Sequence, residues 1–135
     1  MKKIIILGGS VSQVSVIKKS KQLGLYTITC DYLPNNPGHQ FADKYYNIST
    51  TDHKAILEIA LKENNDAISS YASEPGAFTA AYVSEKIGLV GSGLRVIDIL
   101  SNKNKFRSFL KDNNFNSPFF RSGEDVSEFQ DINIF

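Results

Sequence analysis

The chain has 135 residues, 41% of them apolar and 21% charged, with a formal net charge of +1. That length is near one domain and is enough to bury a core without staples. The balanced charge offers no basic field for nucleic acid, and a single cysteine, Cys30, excludes an internal disulfide and any multi-cysteine metal site. Lys2-Lys3 ahead of residues 4–7 imitates a signal peptide, but the apolar run stops at Gly8, too soon for one. No stretch approaches membrane-spanning length. These features point to the cytoplasm, with no membrane and no nucleic-acid partner.

Residues 3–23 read KIIILGGSVSQVSVIKKSKQL. A wholly apolar run bounded by glycine predicts a strand buried on both faces. Gly8-Gly9-Ser10 predicts a tight turn, and Val16, Ile17, Ser20 and Leu23 then share one face of a helix, with Lys18, Lys19 and Lys21 off it and solvated. Gly24 ends that helix. Residues 26–31 (YTITCD) are β-branched and aromatic and predict a second strand. Residues 33–39 (LPNNPGH) read as a loop. Residues 45–48 predict a third strand. The N-cap residues at 49–52 open a helix in which Ile56, Ile59, Ala60 and Glu63 share a face. Residues 66–71 predict a fourth strand, and Pro75 starts a helix running to about Ile87. Residues 88–90 predict a very short fifth strand.

Strands alternating with helices mean βαβ units. The expected fold is therefore α/β: a parallel sheet of about five strands with helices on both faces, Rossmann-like or flavodoxin-like. Strand one should be central, between strands two and four. This domain spans residues 1–93. Residues 94–135 form a linker helix, a second helix at 103–112 capped by Ser101 or Asn102, and an extended piece after Ser117-Pro118. Residues 132–135 resemble a strand just beginning, so a fragment is expected. Phe106, Phe109, Phe119, Phe120 and Phe135 would leave an apolar patch that pairs with another chain, as in a homo-oligomer, or stays mobile.

The candidate chemistry is sparse. The dinucleotide fingerprint needs glycine at 8, 10 and 13, and the chain has Gly8, Ser10 and Gln13. Asp31 stands about where an acid would hold a ribose hydroxyl, but also reads as a loop cap. His39 lies in a loop without ligands at metal spacing, and His53 sits solvated in a first helical turn, so no metal site is expected. Ser10 lacks a G-x-S-x-G context, so no catalytic nucleophile is assigned. Lys103, Lys105 and Arg107 open a helix. Solvation is the preferred reading, yet cations there oppose the dipole unless an anion is near. Glu74, after strand four, would face the Gly8–Ser10 turn across the point where connections change direction, or serve as a first-turn acid.

In order, the apolar strand with Gly-Gly-Ser and Gln13, Cys30-Asp31, Pro37-Gly38, Ala42-Asp43, Ser73-Glu74-Pro75, Leu89-Val90-Gly91, Asn102-Lys103-x-x-Phe106-Arg107-x-x-Leu110 and Asn116-Ser117-Pro118 resemble the N-terminal (pre-ATP-grasp) domain of ATP-grasp ligases and, over 94–135, a linker helix and the start of a truncated ATP-grasp lobe. The likeness is nearest to short proteins similar to the carbamoyl-phosphate synthase large subunit. It implies an ATP-dependent enzyme that activates a carboxylate as an acyl-phosphate for capture by an amine or related nucleophile. It also implies ATP and Mg2+ as cofactors of the full-length parent, none being expected in the fragment, which would be inactive alone. By the same likeness Gly8, Gly9, Ser10 and Glu74 line the substrate, and Lys103 contacts ATP phosphate. A substrate carrying both a carboxylate and an amine, such as an amino acid, would suit both walls. The competing reading is a non-catalytic Rossmann-like nucleotide-binding or docking module.

Overall fold

The computed structural model describes residues 1–123 and 125–129. The strand expected at 132–135, with Phe135, lies outside them. The chain forms two compact units, Met1–Asp98 and Ile99–Phe135.

The first unit is built on four parallel strands: β1 (Lys3–Leu7), β2 (Tyr26–Asp31), β3 (Lys44–Asn47) and β4 (Ala67–Ser69), in the order β3-β2-β1-β4. The register Ile5↔Ile28 and Ile5↔Ile68 aligns β2, β1 and the edge strand β4. Strand pleating sends alternate residues to opposite faces. Ile5, Leu7, Ile28 and Cys30 thus share a buried cluster with Ile56, Ile59 and Ala60 of α2 (His53–Glu63) and Val83 of α3 (Glu74–Ile87). The alternate residues Ile6, Thr27 and Thr29, equally buried, belong to the face that packs on α1 (Val11–Gln22). Each fully buried isoleucine contributes roughly 1.5–3 kcal/mol, so this double-sided burial of β1 and β2 dominates the fold.

Four expectations need correction. There is no fifth strand at 88–90. Gly88 takes φ +71° and caps α3, the Leu89 N–H returns to the Ser84 carbonyl at 2.9 Å, and Val90 is fully exposed. A segment that spends its first N–H on a helix end and buries no valine gains little by pairing with the three-residue β4. Leu23 is off the buried face of α1: it is the C-cap and 66% exposed, and Gln13, Ile17 and Ser20 are the inward residues. Lys21 is not simply solvated, because its ammonium pairs with Asp43. His53 packs edge-on against Tyr82 at 4.6 Å and Phe78 at 5.7 Å, joining α2 to α3.

Helix α4 (Leu94–Ser101) buries no residue. The second unit is dominated by α5 (Lys103–Asp112), whose N-cap Asn102 accepts from the Lys105 N–H at 3.1 Å. Helix α5 buries no residue. Phe109 lies 6.5 Å from Phe115, and Phe119 is exposed. The piece expected to be extended at 119–121 has no regular structure, and a 3-10 turn follows at Val126–Phe129. Among the described residues no helix is long and apolar enough to cross a membrane.

Candidate functional site

The chain moves outward from β1 to β2 and β3, then returns to the other side of β1 as β4. The connections therefore change direction between β1 and β4, and in open α/β sheets the crevice at that point, beyond the strand carboxyl ends, is where ligands bind. Two turns border it here: residues 8–10 after β1 and residues 70–73 after β4.

The first turn is held from below. Gly8 has φ +106°, which glycine adopts without strain, and its N–H donates to the Cys30 carbonyl at 2.8 Å. The Gly9 N–H donates to the buried Asp31 carboxylate at 2.8 Å, and the Gly9 carbonyl accepts from the Gly38 N–H at 2.6 Å. A Cβ on Gly38 would lie 2.6 Å from that carbonyl, and one on Gly9 would lie 2.8 Å from the His39 ring. The loop after β2 thus clasps the glycine turn by the Gly38–Gly9 backbone contact and by the His39 ring beneath Gly9. His39 is buried beneath it, between the Thr29 hydroxyl (2.7 Å) and the Leu33 carbonyl (3.1 Å), and stacks on Tyr45 with centroids 4.8 Å apart.

Ser10 caps α1. Its hydroxyl accepts from the Ser12 N–H, and its own N–H donates to the Gln13 side-chain oxygen at 3.0 Å. From that point Gln13 reaches across the crevice: its Nε2 donates to the Tyr71 carbonyl at 2.9 Å and to the Ala72 carbonyl at 3.3 Å. Two residues further on, Glu74 opens α3 with an exposed side chain. Gly76 packs α3 against β1, where a Cβ would meet that of Leu7 at 3.3 Å.

Of the residues marked in the sequence, the fold brings Gly8, Gly9 and Ser10 to one wall of this crevice and the turn leading into Glu74 to the other. Gly9 is buried with both peptide groups engaged, so Ser10 is the part of the loop nearer solvent. Lys103 stands exposed at the start of α5 in the second unit. Asp31 is the loop cap of its two readings. One oxygen takes the Gly9 N–H and the other the Leu33 N–H at 3.0 Å. The Gln13 side chain lies 3.0 Å from where a Gly8 Cβ would stand, so it packs against the turn glycine. Cys30, pushed up to about 12 by burial, is no nucleophile at neutral pH. Among the described residues no three histidine, cysteine or acidic side chains are placed to hold a metal ion.

Sequence reasoning missed Gln13 and His39. Gln13 could have been found as the residue one turn before Ile17 on the buried face, standing where the fingerprint expects glycine. For His39 the signal was Gly38 beside it, a glycine in a loop that needs close backbone approach.

No protein-family model matches the chain. It is 28% identical over 107 residues to a formate-dependent phosphoribosylglycinamide formyltransferase of Wolinella succinogenes, covering 79% of this chain and 28% of that enzyme. Its fold superposes on N5-carboxyaminoimidazole ribonucleotide synthetase of Thermotoga maritima with a TM-score of 0.82 at 22% identity, over 99% of this chain and 37% of the synthetase. Phosphoribosylglycinamide synthetase of Anaerococcus prevotii gives 0.81 at 23% identity, over 96% of this chain and 33% of the other. The chain thus spans about a third or less of the length of the relatives it matches. In sequence and in fold it is similar to the N-terminal domain of the ATP-grasp ligases.

Proposed function

We propose that this chain is the substrate-side, N-terminal domain of an ATP-dependent ligase that activates a carboxylate as an acyl-phosphate for capture by an amine or related nucleophile. The observation that carries the reading is the meeting of the Ser10 turn and the turn before Glu74 at the switch point of the sheet, joined through Gln13. The N-terminus of α1 offers N–H groups and a positive dipole end to a carboxylate or phosphate. The exposed Glu74 carboxylate offers an ammonium the opposite character. A substrate with both groups, such as an amino acid or an aminoacyl compound, fits both walls. The similarity to formyltransferases named for formate and for phosphoribosylglycinamide supports a carboxylate donor and an amine acceptor. The nearer likeness to the carbamoyl-phosphate synthase large subunit stays part of this proposal, as does a cytoplasmic location.

ATP, with Mg2+, supplies the phosphoryl group in such a ligase. Among the described residues there is no metal-ligand cluster, and Lys103 is exposed at the start of α5, followed by Lys105 and Arg107. Lys103 fits the edge of a phosphate site, since a cation at a helix N-terminus is disfavoured until an anion answers it. The isolated chain should therefore bind ATP weakly or not at all by calorimetry. In the ligase of full length, Lys103→Ala should raise the KM for ATP about tenfold, the worth of one charge-assisted phosphate contact. Glu74→Gln should raise the KM of the amine-bearing substrate and leave that of ATP in place. Unchanged kinetics in both variants would return the chain to a docking module without chemistry.

A further inference from the structure

The geometry points to Gln13 as a positioning residue that sets the conformation of the turn leading into Glu74 and ties it to Ser10. This rests on the reading of Ser10 and Glu74 as the two walls of the substrate crevice. Gln13 is 3% exposed, and its amide makes four hydrogen bonds. The oxygen accepts from the Ser10 N–H and, at 2.6 Å, from the Ser10 hydroxyl; the nitrogen donates to the carbonyls of Tyr71 and Ala72. Two donors and two acceptor sites are the whole capacity of a glutamine amide, so none is left for a ligand. The partners fix the orientation of the amide as well, since N–H groups need its oxygen and carbonyls need its nitrogen.

What this amide holds is strained. The Ser73 N–H closes on the Ser70 carbonyl at 3.1 Å, a four-residue turn with Ala72 at its third position and φ +51°. Tyr71 is not at positive φ, so the turn is of type II, which takes glycine or asparagine at the third position and tolerates alanine poorly. Types I and II differ by a flip of the central peptide, the one bearing the Tyr71 carbonyl. Gln13 grips that carbonyl. It thereby selects the flipped peptide against the preference of Ala72, and the chain leaves the turn toward Ser73 and Glu74 in one direction. Because the same amide binds Ser10, a ligand that draws Ser10 away loosens the Glu74 wall, and a ligand seated between the walls finds both preset.

The test needs no ligand and uses this chain. Gln13→Glu is nearly isosteric: it keeps an acceptor for Ser10 and removes both donations to the turn. Amide hydrogen exchange at Ser73 should then accelerate at least about tenfold, while Ile5, Ile6 and Leu7 in β1 stay within about twofold. Adding Ala72→Gly should bring Ser73 back to within about threefold of the unmutated chain, because glycine takes positive φ unaided. Ala72→Gly alone, which does not threaten folding, should leave Ser73 protection equal or higher. Faster exchange in that single variant overturns the proposal, as does Ser73 protection that ignores Gln13→Glu or is not rescued by glycine. Kinetic silence of Glu74→Gln in the ligase would remove the substrate reading while leaving the exchange result standing, so the two failures are distinct.

Discussion

Asp31 and Glu63 are both buried carboxylates of the first unit, placed at opposite ends of the sheet. At the carboxyl end, Asp31 accepts backbone N–H groups of Gly9 and Leu33, and so shapes loops. Near the amino end, Glu63 accepts from the Lys44 ammonium at 2.6 Å, the Lys3 ammonium at 3.2 Å and the Tyr46 hydroxyl at 2.5 Å, and so pins strands to α2. One end spends its acid on turn geometry next to the switch point, and the other spends it on charge pairs that hold three elements together. A crevice needs loops held at fixed angles with solvent above them. A sheet base needs only attachment.

The sharpest break of that contrast is Asp31→Ala. It leaves the buried Gly9 N–H without an acceptor, and the clasp of Gly38 on Gly9 loses its support. A loss of about 2–4 kcal/mol in urea unfolding is expected. A loss below about 1 kcal/mol would mean that water replaces the carboxylate and that the remaining contacts, among them Gly38 on Gly9 and Gly8 on Cys30, hold the turn.

At the other end, Glu63→Gln should cost about 1–2 kcal/mol, less than a fully buried pair, because Lys3 and Lys44 are a third or more exposed. The charge also predicts a pH dependence. The Lys44 ammonium, then the Tyr46 hydroxyl, hold Glu63 down at about 2 against an ordinary 4.5. A depressed carboxylate contributes stability that is present above pH 4.5 and is lost as pH falls toward 2. The unmutated chain should therefore lose more stability between those values than Glu63→Gln does. Equal slopes would place the acid sensitivity elsewhere.

How far the sequence led differs between the same two ends. The buried face of α2 was legible down to Glu63, because helical periodicity is local and marks inward positions one turn at a time. The central place of β1 followed from its unbroken apolar run and from the need for helices on both faces. The carboxyl-end crevice was legible as a place but not as a mechanism. Gln13 meets carbonyls 58 and 59 residues away, and His39 is buried only because Gly38 lets one loop touch another. Such contacts are set by topology and leave no periodic trace. The fifth strand failed for a local reason: glycine at 88 reads equally as a strand boundary and as a helix C-cap, and the αL cap prevailed.

The smallest effect concerns a third acid, at the carboxyl end like Asp31 but exposed. Glu74 is the first residue of α3, where a negative charge is favoured by the helix dipole. Replacing it by glutamine in this chain should cost about 0.3–0.5 kcal/mol at low salt, and the cost should vanish near 1 M salt, where charges are screened within a few ångströms. Asp31→Ala should show no such salt relief, because its penalty is an unpaired buried N–H rather than a lost field. A cost for Glu74→Gln above about 1 kcal/mol that persists in salt would mean that Glu74 is a structural acid like Asp31, with its carboxylate committed inside the fold. A small, screened cost keeps that carboxylate available to an ammonium entering the crevice between α1 and α3.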